Sequence, residues 1–213
     1  MGIDYTKIDF AHLKESDTIP PVMNNEVVLD IETQNTFQEV GGYHTDKLKV
    51  SVVVAYFYET DEFVAYEEQQ LPQLFQRLEQ SGRIIGYNNI GFDIPVLNNY
   101  YVGDLLQLPQ LDMLAKIHSS LGYRIKLDDV AAATIGMGKS AHGLQAVQWW
   151  KEGKVREIID YCTQDVRVTR DVYEFGKENG FILFDDRMGE RRQVNIDFHP
   201  SEEKAQINLS MGF

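Results

Sequence analysis

Apolar residues fall into short blocks along the first half of the chain and into spaced stripes along the second. Residues 26–31 (EVVLDI), 49–58 (KVSVVVAYFY) and 62–66 (EFVAY) are β-branched, aliphatic and aromatic runs that predict three consecutive strands of one sheet. Glu59, Thr60 and Asp61 make the second turn a hairpin, while residues 34–46 form a polar connection carrying Gly41-Gly42. Leu71, Leu74, Phe75 and Leu78 then recur at i, i+3, i+4 and i+7, the stripe of an amphipathic helix over 71–80 that Gly82 ends. Residues 83–87 (RIIGY) predict a fourth strand, and 93–101 a helix with Asp93 and Pro95 in its first turn. From residue 111 the pattern is mainly helical, over 112–121, 127–135, 143–150 and 155–179, with late strands at 181–184 and 192–198. No repeat and no Pro- or Ser-rich linker interrupts it, so residues 1–213 read as one domain. Strands first and helices interleaved later predict an α/β fold, a mixed sheet with helices on both faces.

Charge narrows the partners. Lys and Arg total 20 against 33 Asp and Glu, a net charge of −13, so the chain as a whole repels polyphosphate and anionic membranes. Any nucleic-acid contact must be local, through a metal or a small basic patch. With 43% hydrophobic residues the chain can bury a core, which excludes disorder and small disulfide scaffolds. Cys162 is the single cysteine and nothing at the N-terminus reads as a signal core, so a reducing, cytoplasmic compartment is expected. The longest apolar stretch, 50–58, is about half of the roughly 20 residues a membrane helix needs. Gly2 and Thr6 fit an N-myristoylation pattern, but one acyl chain binds membranes only marginally without a basic patch, so no membrane partner is expected.

The candidate chemistry lies in carboxylates. Asp30 and Glu32 sit at i and i+2 on a predicted strand and point to the same face, where they can share a cation. Two solvated acids on a surface strand are the plain alternative, but Val27, Val28, Leu29 and Ile31 mark the strand as interior. Asp93 opens a predicted helix, where it can serve as ligand or as N-cap. Tyr161 and Asp165 lie at i and i+4, on one face of the long helix, where Arg170 or Lys154 could also pair the acid. If the first strand, the loop at 93 and the last long helix meet, four carboxylates converge on hard oxygen sites suited to Mg²⁺ or Mn²⁺. Two such ions could activate a water and stabilise the leaving oxygen of a phosphodiester, with the Tyr161 hydroxyl orienting or deprotonating that water.

Other signals carry less. GMGKS (136–140) ends like a phosphate loop but has Ala133 where the first glycine belongs, although Lys139 and His142 could still touch a phosphate. Asp112 and Asp128-Asp129 read as helix caps, and Trp149-Trp150 as a core anchor. Arg187, Arg191 and Arg192, or Lys151, Lys154 and Arg156, could guide a single strand, against the ordinary reading of scattered surface charge.

These residues together resemble the tyrosine-bearing branch of the DEDD superfamily of 3′–5′ exonucleases. The motifs are Leu29-Asp30-Ile31-Glu32-Thr33, then Tyr87-Asn88 through Phe92-Asp93 with Pro95-Val96-Leu97, then Tyr161-Cys162-Thr163-Gln164-Asp165-Val166, in the family's order over about residues 26–180. Within the family, the second motif and Leu111-Asp112-Met113-Leu114 look closest to stand-alone relatives of the proofreading domain of B-family DNA polymerases. The resemblance implies an RNase H-like fold and two Mg²⁺ or Mn²⁺ held by Asp30, Glu32, Asp93 and Asp165, with Tyr161 positioning the water. It also implies 5′-mononucleotides released from single-stranded 3′ ends, DNA before RNA. By the same resemblance Thr33, Asn88 and Phe92 hold the terminal nucleotide, Phe92 being equally at home in the core. In the histidine branch a His lies five residues before the last Asp, and here that residue is Asp160. An RNase D-like exoribonuclease and a non-catalytic binding module are the other readings, and the acidic balance makes a helicase or polymerase that delivers the substrate an expected partner.

Overall fold

The computed structural model describes residues 25–137 and 143–200, so the Gly2 acylation pattern and the Lys139 and His142 positions lie outside the described residues. The alternation of side chains along β1 (Glu26–Thr33) sets the layout. Val27, Leu29 and Ile31 enter one core layer, while Val28 enters the other, with Asp30 and Glu32 following it at two-residue steps. β2 (Val50–Phe57) pairs antiparallel with β1 and is buried along its whole length, which is why its apolar run is nearly continuous. β3 (Glu62–Glu67) continues the meander antiparallel, and β4 (Arg83–Gly86) lies parallel on the other side of β1. A further strand, β5 (Gln110–Asp112), pairs parallel with β4 and gives the order β3-β2-β1-β4-β5. The pattern of positions placed a helix from residue 112 and no strand at 110–112. Three residues are too few to show a period.

One face is covered by α1 (Leu71–Gln80), through Leu71, Leu74, Phe75 and Leu78, and by α2 (Asp93–Leu97). α2 stops four residues short of the expected end at 101, because the Asn98 side chain turns to bond Asp104 and accept from the Leu105 N–H. The other face carries α6 (Val155–Asn179), with α3 (Met113–Leu121), α4 (Leu127–Ile135) and α5 (Gly143–Lys151) around it. β6 (Phe181–Asp185) and β7 (Arg191–Asn195) pair with each other as a separate hairpin. β7 ends at Asn195 rather than at 198, and Phe198 tucks against Tyr173 at 5.9 Å between ring centroids. A side chain at Gly176 would overlap the Phe198 ring, which is what a glycine inside α6 provides. Among the described residues no helix is long and apolar enough to cross a membrane.

At the start of β1, Glu26 is 8% exposed and bonded by Arg83, by the Tyr173 hydroxyl at 2.7 Å and by Lys177 at 3.1 Å. Burial pushes its carboxyl up, but Tyr173, Arg83 and Lys177 more than offset this and hold it below its ordinary value. Glu26→Ala would leave the buried Arg83 guanidinium without its carboxylate and is expected to cost about 3–5 kcal/mol in urea unfolding. A loss under about 1 kcal/mol would show that the pairs do not hold β4 and α6 to the start of β1.

Candidate active site

β1 ends in an irregularity. Its register with β2 shifts between Glu32 and Thr33, so the chain bends where the two acids stand. α6 crosses this end of β1 and brings Asp165 down, and carboxylate oxygens of Asp30, Glu32 and Asp165 lie within 4.8 Å of one another. Asp93, 4% exposed in the first turn of α2, stands beside them rather than inside that triad. β4 pairs with β1 only as far as Val28, and the Ile31 N–H is met instead by Asp93 Oδ1 at 3.2 Å. The expected cap role is not the one seen, since Phe92 occupies the N-cap position without a side-chain bond.

The electrostatics follow from this crowding. Burial first, then Asp93, Asp165 and Glu32, push the Asp30 carboxyl well above its ordinary value, and the Cys162 thiol opposes them weakly. Glu32 is pushed up by burial and by Asp165 and Asp93. Asp93 is raised by burial to about 7, partly opposed by backbone N–H groups including that of Ile31. Tyr161, one turn before Asp165 on α6, is hydrogen-bonded to that acid, and burial with the neighbouring carboxylates raises its hydroxyl. Hard oxygen donors, Glu32 and Asp93 buried and Asp30 and Asp165 half-buried, crowd and repel one another and fit divalent cations, which would reverse the repulsion.

Cys162 is a partner that pattern reasoning did not assign. Fully buried on α6, its Sγ donates to the Asp30 backbone oxygen at 3.3 Å and lies 3.6 Å from Asp30 Oδ2, tying helix to strand behind the carboxylates. Its only sequence signal is its place next to Tyr161 inside an apolar helix face. Arg170 pairs with Asp171 at 2.7 Å and lies over the Tyr56 ring, and Lys154 pairs with Glu152 at 2.6 Å.

The carboxylates open into a cleft of about 250 Å³. One wall is the β1–β2 connection, with Asn35, Thr36, Phe37 and Leu48, and the other is α5, with Leu144 and Val147. Lys151 on α5 bonds Glu39 across it at 2.6 Å, and that bond with those from Thr36 holds the Glu39 carboxyl down at about 2. Thr33 lines the cleft with its hydroxyl donated to Asn35 O at 2.8 Å, and Phe92 lines it half-buried. Asn88 is not among the lining residues. It takes a left-handed turn (φ 71), donates its N–H to Asp112 at 3.0 Å, and its side-chain oxygen accepts from Arg124 at 2.6 Å. Asp112 caps α3 through the Ala115 N–H, as expected, and also binds the N–H groups of Asn88 and Ile90, bracing the loop that carries Phe92 and Asp93. Trp149 and Trp150 are half-buried against the core, Trp149 edge-on to Tyr161 at 6.1 Å. Arg191 and Arg192 pair with Asp185 and Asp186 across the β6–β7 hairpin.

A five-stranded mixed sheet flanked by helices, with two acids on its central strand and a third delivered by the long last helix, is an RNase H-like fold. The chain belongs to the RNase_H superfamily, whose family model matches residues 27–175. It is similar in structure to the family B DNA polymerase from the hyperthermophilic archaeon Pyrobaculum calidifontis, with a TM-score of 0.55 and 18% identity, over 71% of this chain and 24% of the polymerase. No curated protein matches the chain in sequence.

Proposed function

We propose that this protein is a metal-dependent 3′–5′ exonuclease that shortens single-stranded nucleic acid, DNA in preference to RNA, and releases 5′-mononucleotides. One observation carries the reading: three carboxylates from two elements, within 4.8 Å, face a cleft that also has Phe92 and Thr33 in its walls. At about 250 Å³ the cleft is small for a paired end, which supports an unpaired terminus as the substrate. Asp30, Glu32 and Asp165, with Asp93 behind them, would hold two Mg²⁺ or Mn²⁺. When bound, such ions supply an activated water and charge stabilisation for the leaving oxygen. Thr33 and Phe92 hold the sugar and base of the last nucleotide, and Asn88 acts from the turn behind Phe92. Water attacks the terminal phosphorus, the bond to O3′ of the preceding nucleotide breaks, and that oxygen takes up a proton. Tyr161 is held protonated by burial and its carboxylate neighbours, which suits it to orienting the water rather than to removing its proton. The tyrosine-bearing pattern of motifs and the likeness to a DNA polymerase support the branch and the preference for DNA. A net charge of −13 supports a helicase or polymerase that presents the end.

Tyr161→Phe is expected to lower kcat about 10²-fold with no change in the melting shift that Mn²⁺ produces. An unchanged kcat would remove Tyr161 from the reaction. An exonuclease also needs an end: a linear single strand is expected to disappear while a circle of the same sequence survives. Equal loss of both would make the protein an endonuclease.

A further inference from the structure

The wall of the cleft continues outward as a ladder of three rings. Phe92 meets Phe37 edge-on at 5.8 Å, and Phe37 stacks with Tyr43 at 4.4 Å and 25° between planes. Phe92 and Phe37 line the cleft, and Tyr43 is stacked on Phe37 without being part of that lining. Local chain geometry builds the last step. Gly41 and Gly42 take φ of +85° and +138°, and the Gly42 N–H bonds Phe37 O at 2.9 Å, so the chain reverses and lays Tyr43 back over Phe37. The Tyr43 hydroxyl then donates to Gly91 O at 2.5 Å, next to Phe92. Two rings and a hydroxyl are thus tied to each other and to the loop of the second motif, while the Glu39 bonds to Thr36 and Lys151 brace the same connection.

Tyr43 nevertheless remains 68% exposed. With its ring stacked on the cleft-lining Phe37 and its hydroxyl bonded to Gly91, what stays open is aromatic ring surface next to the cleft wall. Such surfaces take nucleobases without regard to sequence, and a ring fixed in advance loses little entropy when it stacks. We infer that Tyr43 is a binding residue for the base preceding the terminal nucleotide, so that the substrate is an unpaired end at least two nucleotides long whose last bases are splayed along the ladder. This rests on the exonuclease reading and adds to it a second base position, outside the cleft and supplied by the connection between β1 and β2.

The test compares the protein with Tyr43→Ala and Tyr43→Phe on single-stranded oligonucleotides carrying one abasic site at the last, the second-last or the fifth position from the 3′ end. Tyr43→Ala is expected to raise KM about tenfold with kcat kept, the loss of one base stack, and Tyr43→Phe to retain most of the affinity. For the unaltered protein, an abasic site at the second-last position is expected to raise KM by a similar factor, and for Tyr43→Ala to make no further difference. If the unaltered protein shortens these strands but Tyr43→Ala matches it in KM and in its abasic profile, the inference is overturned and the exonuclease reading stands. If the unaltered protein shortens none of them with Mg²⁺ or Mn²⁺, both fall.

Discussion

Asp30→Asn is expected to slow cleavage by about 10³-fold or more while making the metal-free protein more stable. The first effect follows from its place. Asp30 shares the triad with Glu32 and Asp165, and an amide cannot bring the negative charge that a divalent ion needs, so several kcal/mol of transition-state stabilisation go with it. The second follows from cost. Asp30 is pushed up by burial and by three neighbouring carboxylates, so a neutral group of the same shape removes repulsion that the fold otherwise carries. A variant that merely unfolds would lose both activity and melting temperature. Reduced activity with a raised melting temperature in EDTA is the signature of a ligand site, and equal activity would remove Asp30 from the chemistry.

The metal-free protein is also expected to lose stability as pH rises from about 5 to 8. Asp93 is raised to about 7 from an unfolded value near 4, and Asp30 and Glu32 are raised too, so the folded state holds protons that the unfolded chain has released. That contribution is fully present below the unfolded value and is lost as pH climbs through the folded one. For Asp93 alone it amounts to a few kcal/mol, on the order of 10 °C in a chain this long. Glu26 works in the other sense, since its lowered carboxyl stabilises the fold until acid protonates it, and this places the metal-free maximum near pH 5. Saturating Mn²⁺ at pH 8 should restore the lost degrees, because it binds the folded state with its carboxylates ionised. Thermal melts in EDTA and in Mn²⁺ across this range decide it. A melting temperature that rises steadily with pH in EDTA would show that the carboxylates are not held protonated, and Asp93→Asn should flatten the slope.

How much of this could be seen in the sequence follows from the range of each interaction. The β1 face is local: Val28, Asp30 and Glu32 on one side and Val27, Leu29 and Ile31 on the other follow from a two-residue period. The stripe of α1 and the 25 residues of α6 are equally local, and their ends appear where the pattern put them. The meeting of Asp30 and Glu32 with Asp165 was legible only because three motifs occurred together, since 133 residues separate Glu32 from Asp165. β5 was too short to carry a period, and its pairing depends on β4. The end of α2 depends on Asn98 reaching Asp104, and the β6–β7 hairpin packs through Ile182, Phe184 and Val194 into the core shared with α4 and α6, a placement that its own strand pattern does not encode. Asn88 shows the limit most clearly. Its motif position reads as a substrate contact, but its left-handed backbone and its bonds to Asp112 and Arg124 make it part of the turn beneath Phe92.

The central claim, that the carboxylate cleft removes nucleotides from a 3′ end, is tested most directly by a time course on 5′-labelled single-stranded DNA and RNA of one sequence, with Mg²⁺, with Mn²⁺ and with EDTA. A ladder that shortens one nucleotide at a time from the 3′ end is expected, faster on DNA, in either metal and not in EDTA, and absent for Asp165→Asn. Intact substrates in both metals from folded protein, or a ladder that persists in EDTA or in Asp165→Asn, would contradict that claim.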